Sequence, residues 1–124
     1  MVRRRILLVE DEADIRRLVR LRLDGSEAGF DVVAEVDSAE AAIDLTERLH
    51  PEVIVLDNQL AGAMAGVEAA PALKAASPES AIVLYSASVP AGSSVAGVDA
   101  VVSKAAPLSE LEVTVVRVSG ASGA

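Results

Sequence analysis

With 124 residues, no cysteine and one histidine, the chain is long enough for one domain with a real core, and disulfides, thiolate chemistry and cysteine-ligated metals are excluded. A formal net charge of −8 argues against broad nucleic-acid binding by this domain. No apolar run approaches the ~20 residues of a membrane span, and the run after Arg3-Arg4-Arg5 is only Ile6 to Val9, too short for a secretory signal. A cytoplasmic protein without membrane contact is expected.

In chain order, residues 5–9 form an apolar strand that ends in Glu10-Asp11-Glu12. A helix is predicted over 13–28, with Ile15, Leu18, Val19 and Leu23 at helical spacing, Arg16, Arg17 and Arg20 mostly outward, and Gly29 closing it. Residues 31–36 read as a second strand. Ser38 caps a helix running to Leu49, with Ala42, Leu45 and Leu49 inward. His50, next to Pro51 at that helix end, reads as a surface residue. Val53-Ile54-Val55-Leu56 is an unbroken apolar run, the mark of a strand buried on both faces, and it stops at Asp57. A helix follows over 67–76, with Pro71 in or near its first turn. Strands are predicted at 81–86 and 99–103. Between them, residues 87–98 hold Pro90, two glycines and three serines and no charge. Gly costs about 1 kcal/mol and Pro about 3 kcal/mol relative to Ala inside a helix, so this crossover should form at most a turn or two, around 93–96. Pro107 opens a last helix with Leu108, Leu111 and Val115 inward. The domain is expected to span 1–118, with 119–124 a flexible Gly/Ser/Ala tail.

Alternating strands and helices imply a parallel sheet with right-handed crossovers. The fold expected is α/β: a flavodoxin-like doubly wound (βα)5 with five parallel strands in order 2-1-3-4-5 and a shortened or missing fourth helix. In that order the carboxyl ends of strands 1 and 3 are neighbours, so Glu10, Asp11 and Asp57 converge. Three such carboxylates repel unless neutralised. A hard divalent cation, Mg2+ or Mn2+, suits an all-oxygen set. Ser86 ends strand 4, and Lys104, one of two lysines, follows strand 5. A hydroxyl and a point positive charge there could meet an anionic oxygen.

Residues 6–12, 53–60, Met64-Ala65-Gly66-Val67-Glu68, 82–87 and 96–104 together resemble the receiver domain of the bacterial two-component response-regulator family, over about residues 3–118. The resemblance implies phosphorelay signalling: Asp57 accepts a phosphoryl group from the phosphohistidine of a sensor histidine kinase or phosphotransfer protein, as a switch and not an enzyme. It implies a metal held by Asp11, by Glu10 through water, by Asp57 and by the backbone carbonyl of Gln59. Ser86 and Lys104 match the residues that contact the phosphoryl group.

The chain also departs from that pattern. Ala61 replaces the usual loop proline, and the segment to Gly66 is one residue longer. Ala105 follows Lys104 where many members have a cis proline, so a trans bond is expected. Val101 stands where a rotating aromatic switch is common. With the fourth helix stunted, the usual phosphorylation-driven dimer face is reduced. A monomer or weak dimer is expected, or docking through another surface such as Arg16, Arg17 and Arg20, with the downstream protein unspecified. Two alternatives remain: a phosphorylation-independent pseudo-receiver used for docking, and a haloacid-dehalogenase-like phosphatase with an Asp nucleophile. The phosphatase wants a second Asp two residues after the first, where this chain has Gln59.

Overall fold

A computed structural model describes residues 3–123, with side chains through Ser119. The elements are β1 (Arg4–Val9), α1 (Ala13–Asp24), β2 (Phe30–Val36), α2 (Ala39–Leu49), β3 (Val53–Leu56), α3 (Gly66–Ala76), β4 (Ala81–Ser86), β5 (Ala100–Ser103) and α4 (Leu108–Gly123). The strands form one five-stranded sheet in the order β2-β1-β3-β4-β5, and every pairing is parallel. The tail expected over 119–124 falls, from residue 120, outside the described side chains.

The unbroken apolar strands are explained by what covers them. Side chains alternate across a strand. Ile6, Leu8, Val53, Val55, Val83 and Tyr85 pack on one face with Val19 and Leu23 of α1 and Leu111 and Val115 of α4. Leu7, Val9, Ile54, Leu56, Ile82 and Leu84 pack on the other with Ala39 and Ala42 of α2 and Ala69, Ala70 and Leu73 of α3. Neither face meets water, so no polar residue interrupts these strands.

Three details differ from expectation. First, α1 ends at Asp24, four residues short of 28, with Gly25 as its cap and its amide bonded to the Leu21 carbonyl at 3.1 Å. Gly29, at φ +83°, instead turns the chain into β2. The inward stripe of α1 is the buried Val19 and Leu23 with the partly buried Ile15, strict steps of four, and Leu18 falls off it and is 54% exposed. Second, α3 begins at Gly66, so Pro71 lies in its second turn and not its first. The Val67 carbonyl therefore lacks its helical donor. Third, β5 starts at Ala100, one residue later than expected; Asp99 uses its carboxylate on neighbouring groups, taking the Ile82 amide at 2.8 Å and Lys74 Nζ at 2.7 Å.

The crossover from β4 to β5 contains no helix at all, fewer turns than the one or two allowed for. It makes two tight reversals, with Ser93 N donating to the Pro90 carbonyl at 3.1 Å and Val98 N to the Val95 carbonyl at 3.0 Å. Gly92 and Gly97 carry them at φ +82° and +81°. Gly97 lies hard against α3: a Cβ there would sit 3.0 Å from the Ala70 carbonyl atoms. The coil thus packs where a longer helix would have stood.

This contrast can be measured. At Gly92 a Cβ meets nothing within 4 Å, so Gly92→Ala should cost only the left-handed backbone term, about 1–2 kcal/mol. Gly97→Ala adds a backbone collision and should cost about 1–3 kcal/mol more. Urea denaturation of both variants checks the order; equal costs would mean that the coil is not seated on α3.

Candidate functional site

The carboxyl ends of β1, β3, β4 and β5 meet at one edge of the sheet. Backbone hydrogen bonds continue past the strands there: the Glu10 amide donates to the Val36 carbonyl, Asp57 N to Val9 and Lys104 N to Ser86, each at 2.9 Å. These bonds fix where the next side chains emerge. Glu10 is 2% exposed and Asp57 4%, which is rare for carboxylates without partners. Their partner is Lys104. Its ammonium lies 2.9 Å from Glu10 Oε1 and 3.1 Å from Asp57 Oδ2. A point cation with three donors can hold both oxygens at once. Tyr85 lies beneath it, with Lys104 Nζ 5.7 Å from the ring centroid, within cation–π range.

One cation between two buried anions leaves the balance negative. Burial pushes the Glu10 carboxyl up, from 4.5 to about 7; Lys104 pulls it down, and the Asp57 carboxylate raises it again. Burial works to lower the Lys104 ammonium, but Glu10 and Asp57 outweigh it and hold it above its ordinary value. Tyr85 is raised, by burial first, with Lys104 opposing.

Of the expected metal residues, Glu10 and Asp11 lie together, and Glu12 joins them: one oxygen from each of the three falls within 4.8 Å of the others. Asp57 is tied to this group through Lys104. An all-oxygen donor set with surplus negative charge fits a hard divalent cation such as Mg2+. Glu12, overlooked as a donor, was visible only as the third acid of a run. Gln59 is exposed, and its amide reaches Asp57 Oδ1 at a long 3.4 Å.

Ser86 is 1% exposed. Its oxygen accepts from the amides of Ser88 and Val89 at 3.1 and 3.2 Å, which caps the start of the crossover, and its hydroxyl also shares a hydrogen bond with the Ser88 hydroxyl at 3.2 Å. Val101 pairs with Leu84 in register and packs on the α2–α3 face. Tyr85, the one tyrosine, packs on the opposite face. The aromatic ring nearest Lys104 is thus on the neighbouring strand and the other side of the sheet from Val101. No cis peptide bond occurs among the described residues, so Lys104 and Ala105 are joined in trans, as expected.

The loop after Asp57 is held by contacts that the sequence did not announce. Asn58 Oδ1 accepts the Val67 amide at 3.0 Å, standing in for the cap that Ala65 cannot provide. Gly66 N donates to the Asn58 carbonyl at 2.8 Å. A Cβ at Gly66 would lie 2.1 Å from the Asp57 carbonyl oxygen. Only glycine lets α3 start this close to the Asp57 backbone.

A family model described as the response regulator receiver domain matches residues 6–116. Among curated proteins, protein-glutamate methylesterase/protein-glutamine glutaminase 1 of Paramagnetospirillum magneticum is 37% identical over 82 residues, covering 66% of this chain and 21% of that protein. An uncharacterized response regulatory protein of Yersinia pestis is 41% identical over 56 residues, covering 45% of this chain and 23% of that one. The chain spans about a fifth of the length of the curated relatives it matches. Among solved structures, the response regulator domain of Thermotoga maritima CheB aligns with a TM-score of 0.84 at 19% identity, over 96% of this chain and 98% of that one. A two-component response regulator of the LuxR family from Aurantimonas sp. aligns with a TM-score of 0.82 at 25% identity, over 97% and 87%.

The raised Glu10 carboxyl makes metal-free stability pH-dependent. Between 4.5 and about 7 the folded state holds a proton that the unfolded state has released. The stability this confers is full below 4.5 and is lost as pH rises through 7. In EDTA, the urea midpoint of the wild type should fall across this window relative to Glu10→Gln, which carries no such proton. Parallel curves would mean that Glu10 stays ionised throughout.

Proposed function

The chain belongs to the response regulator receiver domain family, and on that premise we propose that Asp57 accepts a phosphoryl group in a Mg2+-dependent reaction and that the domain acts as a signalling switch. Receiver domains are typically signalling modules and not enzymes. The observation that carries the reading is the Lys104 ammonium shared by the buried Glu10 and Asp57. A lysine so placed already holds one oxygen of the acceptor and lies within reach of a phosphoryl group formed on it.

In this reading the donor is the phosphohistidine of a sensor histidine kinase or phosphotransfer protein. One Asp57 carboxylate oxygen attacks phosphorus as the P–N bond to the imidazole breaks, and the imidazole keeps the bonding electron pair and takes up a proton. Asp57 serves as the nucleophile, and its surroundings contribute mainly orientation and charge. Lys104 turns one N–H toward the phosphoryl oxygens. Ser86, whose oxygen is already occupied by two amides, turns its hydroxyl away from that of Ser88 and donates its proton to another. Glu10, Asp11 and Glu12 would hold the metal, with Asp57 and the Gln59 carbonyl completing the protein's share. When bound, Mg2+ neutralises charge on the phosphoryl oxygens. The product is an acyl phosphate, which water later cleaves. Among the described residues no helix is long and apolar enough to cross a membrane.

The departure at the crossover bears on output. The missing helix and the non-aromatic Val101 remove two parts of the face through which receivers usually dimerise, and the same features favour the pseudo-receiver as the second reading. For the switch, intact mass after incubation with acetyl phosphate and Mg2+ should show one added phosphoryl group, absent from Asp57→Asn and reduced about tenfold or more in rate by Lys104→Ala. No adduct with any phosphodonor would leave the docking module. Light scattering with beryllofluoride should show a monomer; a dimer built on residues 99–118 would refute that part.

A further inference from the structure

We propose that Arg16 is a positioning residue: it fixes the Glu10–Asp11 corner, and Glu35 in turn fixes Arg16. This rests on the reading of the Asp57 crevice as a Mg2+-dependent phosphoacceptor site. The arginines of α1 were expected to be mostly solvated, and Arg16 is not. Its Nη1 donates to the backbone carbonyl of Glu10 at 2.8 Å. Its Nε lies 3.4 Å from Glu35 Oε1 on β2, and Arg20 Nη1 holds Glu35 Oε2 at 2.9 Å. The Arg16 side chain is 27% exposed and that of Glu35 25%.

The carbonyl that Arg16 takes is a particular one. Glu10 is the first residue beyond β1, and its amide still belongs to the sheet through Val36. Its carbonyl lies past the ladder, at the turn into the loop that carries Asp11 and Glu12. A peptide unit is planar, so holding the Glu10 carbonyl sets the plane from which Asp11 departs. Three bonds then fix the corner: Arg16 on the carbonyl, Lys104 on Glu10 Oε1 at 2.9 Å, and the Glu12 amide on Glu10 Oε2 at 3.2 Å. In the proposed chemistry Lys104 turns toward the phosphoryl group, so its hold on Glu10 loosens when the site is used. Arg16 touches none of the reacting atoms and keeps its grip throughout. The planar guanidinium suits the task, since one edge meets the carbonyl while Nε faces Glu35.

Two effects oppose each other in a variant, which makes the test sharp. Removing a cation near three carboxylates strengthens Mg2+ binding by electrostatics alone. Loosening the corner weakens it. Partners outside the ligands themselves typically change metal affinity 10–100-fold. With both effects present, Arg16→Gln should weaken binding of Mg2+ alone, titrated calorimetrically, by roughly tenfold. Glu35→Gln should weaken it less, and the double variant should be no worse than Arg16→Gln, because Glu35 acts through Arg16. In metal-free protein the Glu12 amide should exchange faster in Arg16→Gln while amides of β3 do not. With acetyl phosphate, Arg16→Gln should need more Mg2+ for half-maximal phosphorylation yet reach the wild-type rate at saturation. A merely structural role would move stability and leave this split absent. Unchanged or tighter Mg2+ binding in Arg16→Gln, or a fully additive Glu35→Gln, overturns the proposal. If the wild type binds Mg2+ and Arg16→Gln weakens it but Asp57 never gains a phosphoryl group, the positioning role stands and the phosphoacceptor reading falls. If the wild type binds no Mg2+, both fall.

Discussion

A single ammonium shared by two buried carboxylates organises this molecule. Glu10 and Asp57 could not be buried as they are without Lys104 between them; an uncompensated buried charge costs several kcal/mol. The three residues come from the ends of three different strands. Their meeting therefore depends on strand order, on the parallel register that ends β1, β3 and β5 at one level, and on the backbone bonds that carry the ladder one residue past the strands. The pair is also unfinished. One cation faces two buried carboxylates, with Asp11 and Glu12 alongside, and burial first, then the Asp57 carboxylate, lifts the Glu10 carboxyl to about 7 against the pull of Lys104. A site so poised favours any added cation.

The surrounding loops are shaped to hold this arrangement. The loop after Asp57 is pinned by Asn58 and by the near-contact at Gly66, so α3 starts almost on top of the Asp57 backbone. The loop after Glu10 is pinned from outside by Arg16. Ser86 caps the next crossover with its own oxygen. Each anchor is a polar bond at a strand end, where backbone groups outside the ladder would otherwise lack partners.

The crossover between β4 and β5 is where the chain parts from its relatives' common plan. A coil of small residues, turned at Gly92 and Gly97, lies against α3. Without a helix there, and with Val101 in place of an aromatic residue, the α2–α3 face of β5 has little to rotate or slide. The ring closest to the ammonium is Tyr85, which packs with Leu111 and Val115 of α4.

The sequence by itself determined the fold class, the strand order and the residues at the strand ends. Buried parallel strands require continuous apolar runs such as 53–56, and glycine and proline at 87–98 forbid a long helix by local propensity alone. Asp57, Asp11, Glu10, Ser86 and Lys104 were readable because each ends an element, and element ends follow from local pattern. Only the tertiary structure decided which of these residues touch. That Lys104 grips Glu10 as well as Asp57, that Arg16 reaches back to a carbonyl, and that Asn58 caps α3 are long-range or loop-level facts. So are the exposure of Leu18 and the second-turn position of Pro71, which depend on where a helix starts and how it is rolled against the sheet. Local periodicity fixes what a segment is. The distances between segments are set by packing, and the chemistry of this site resides in those distances.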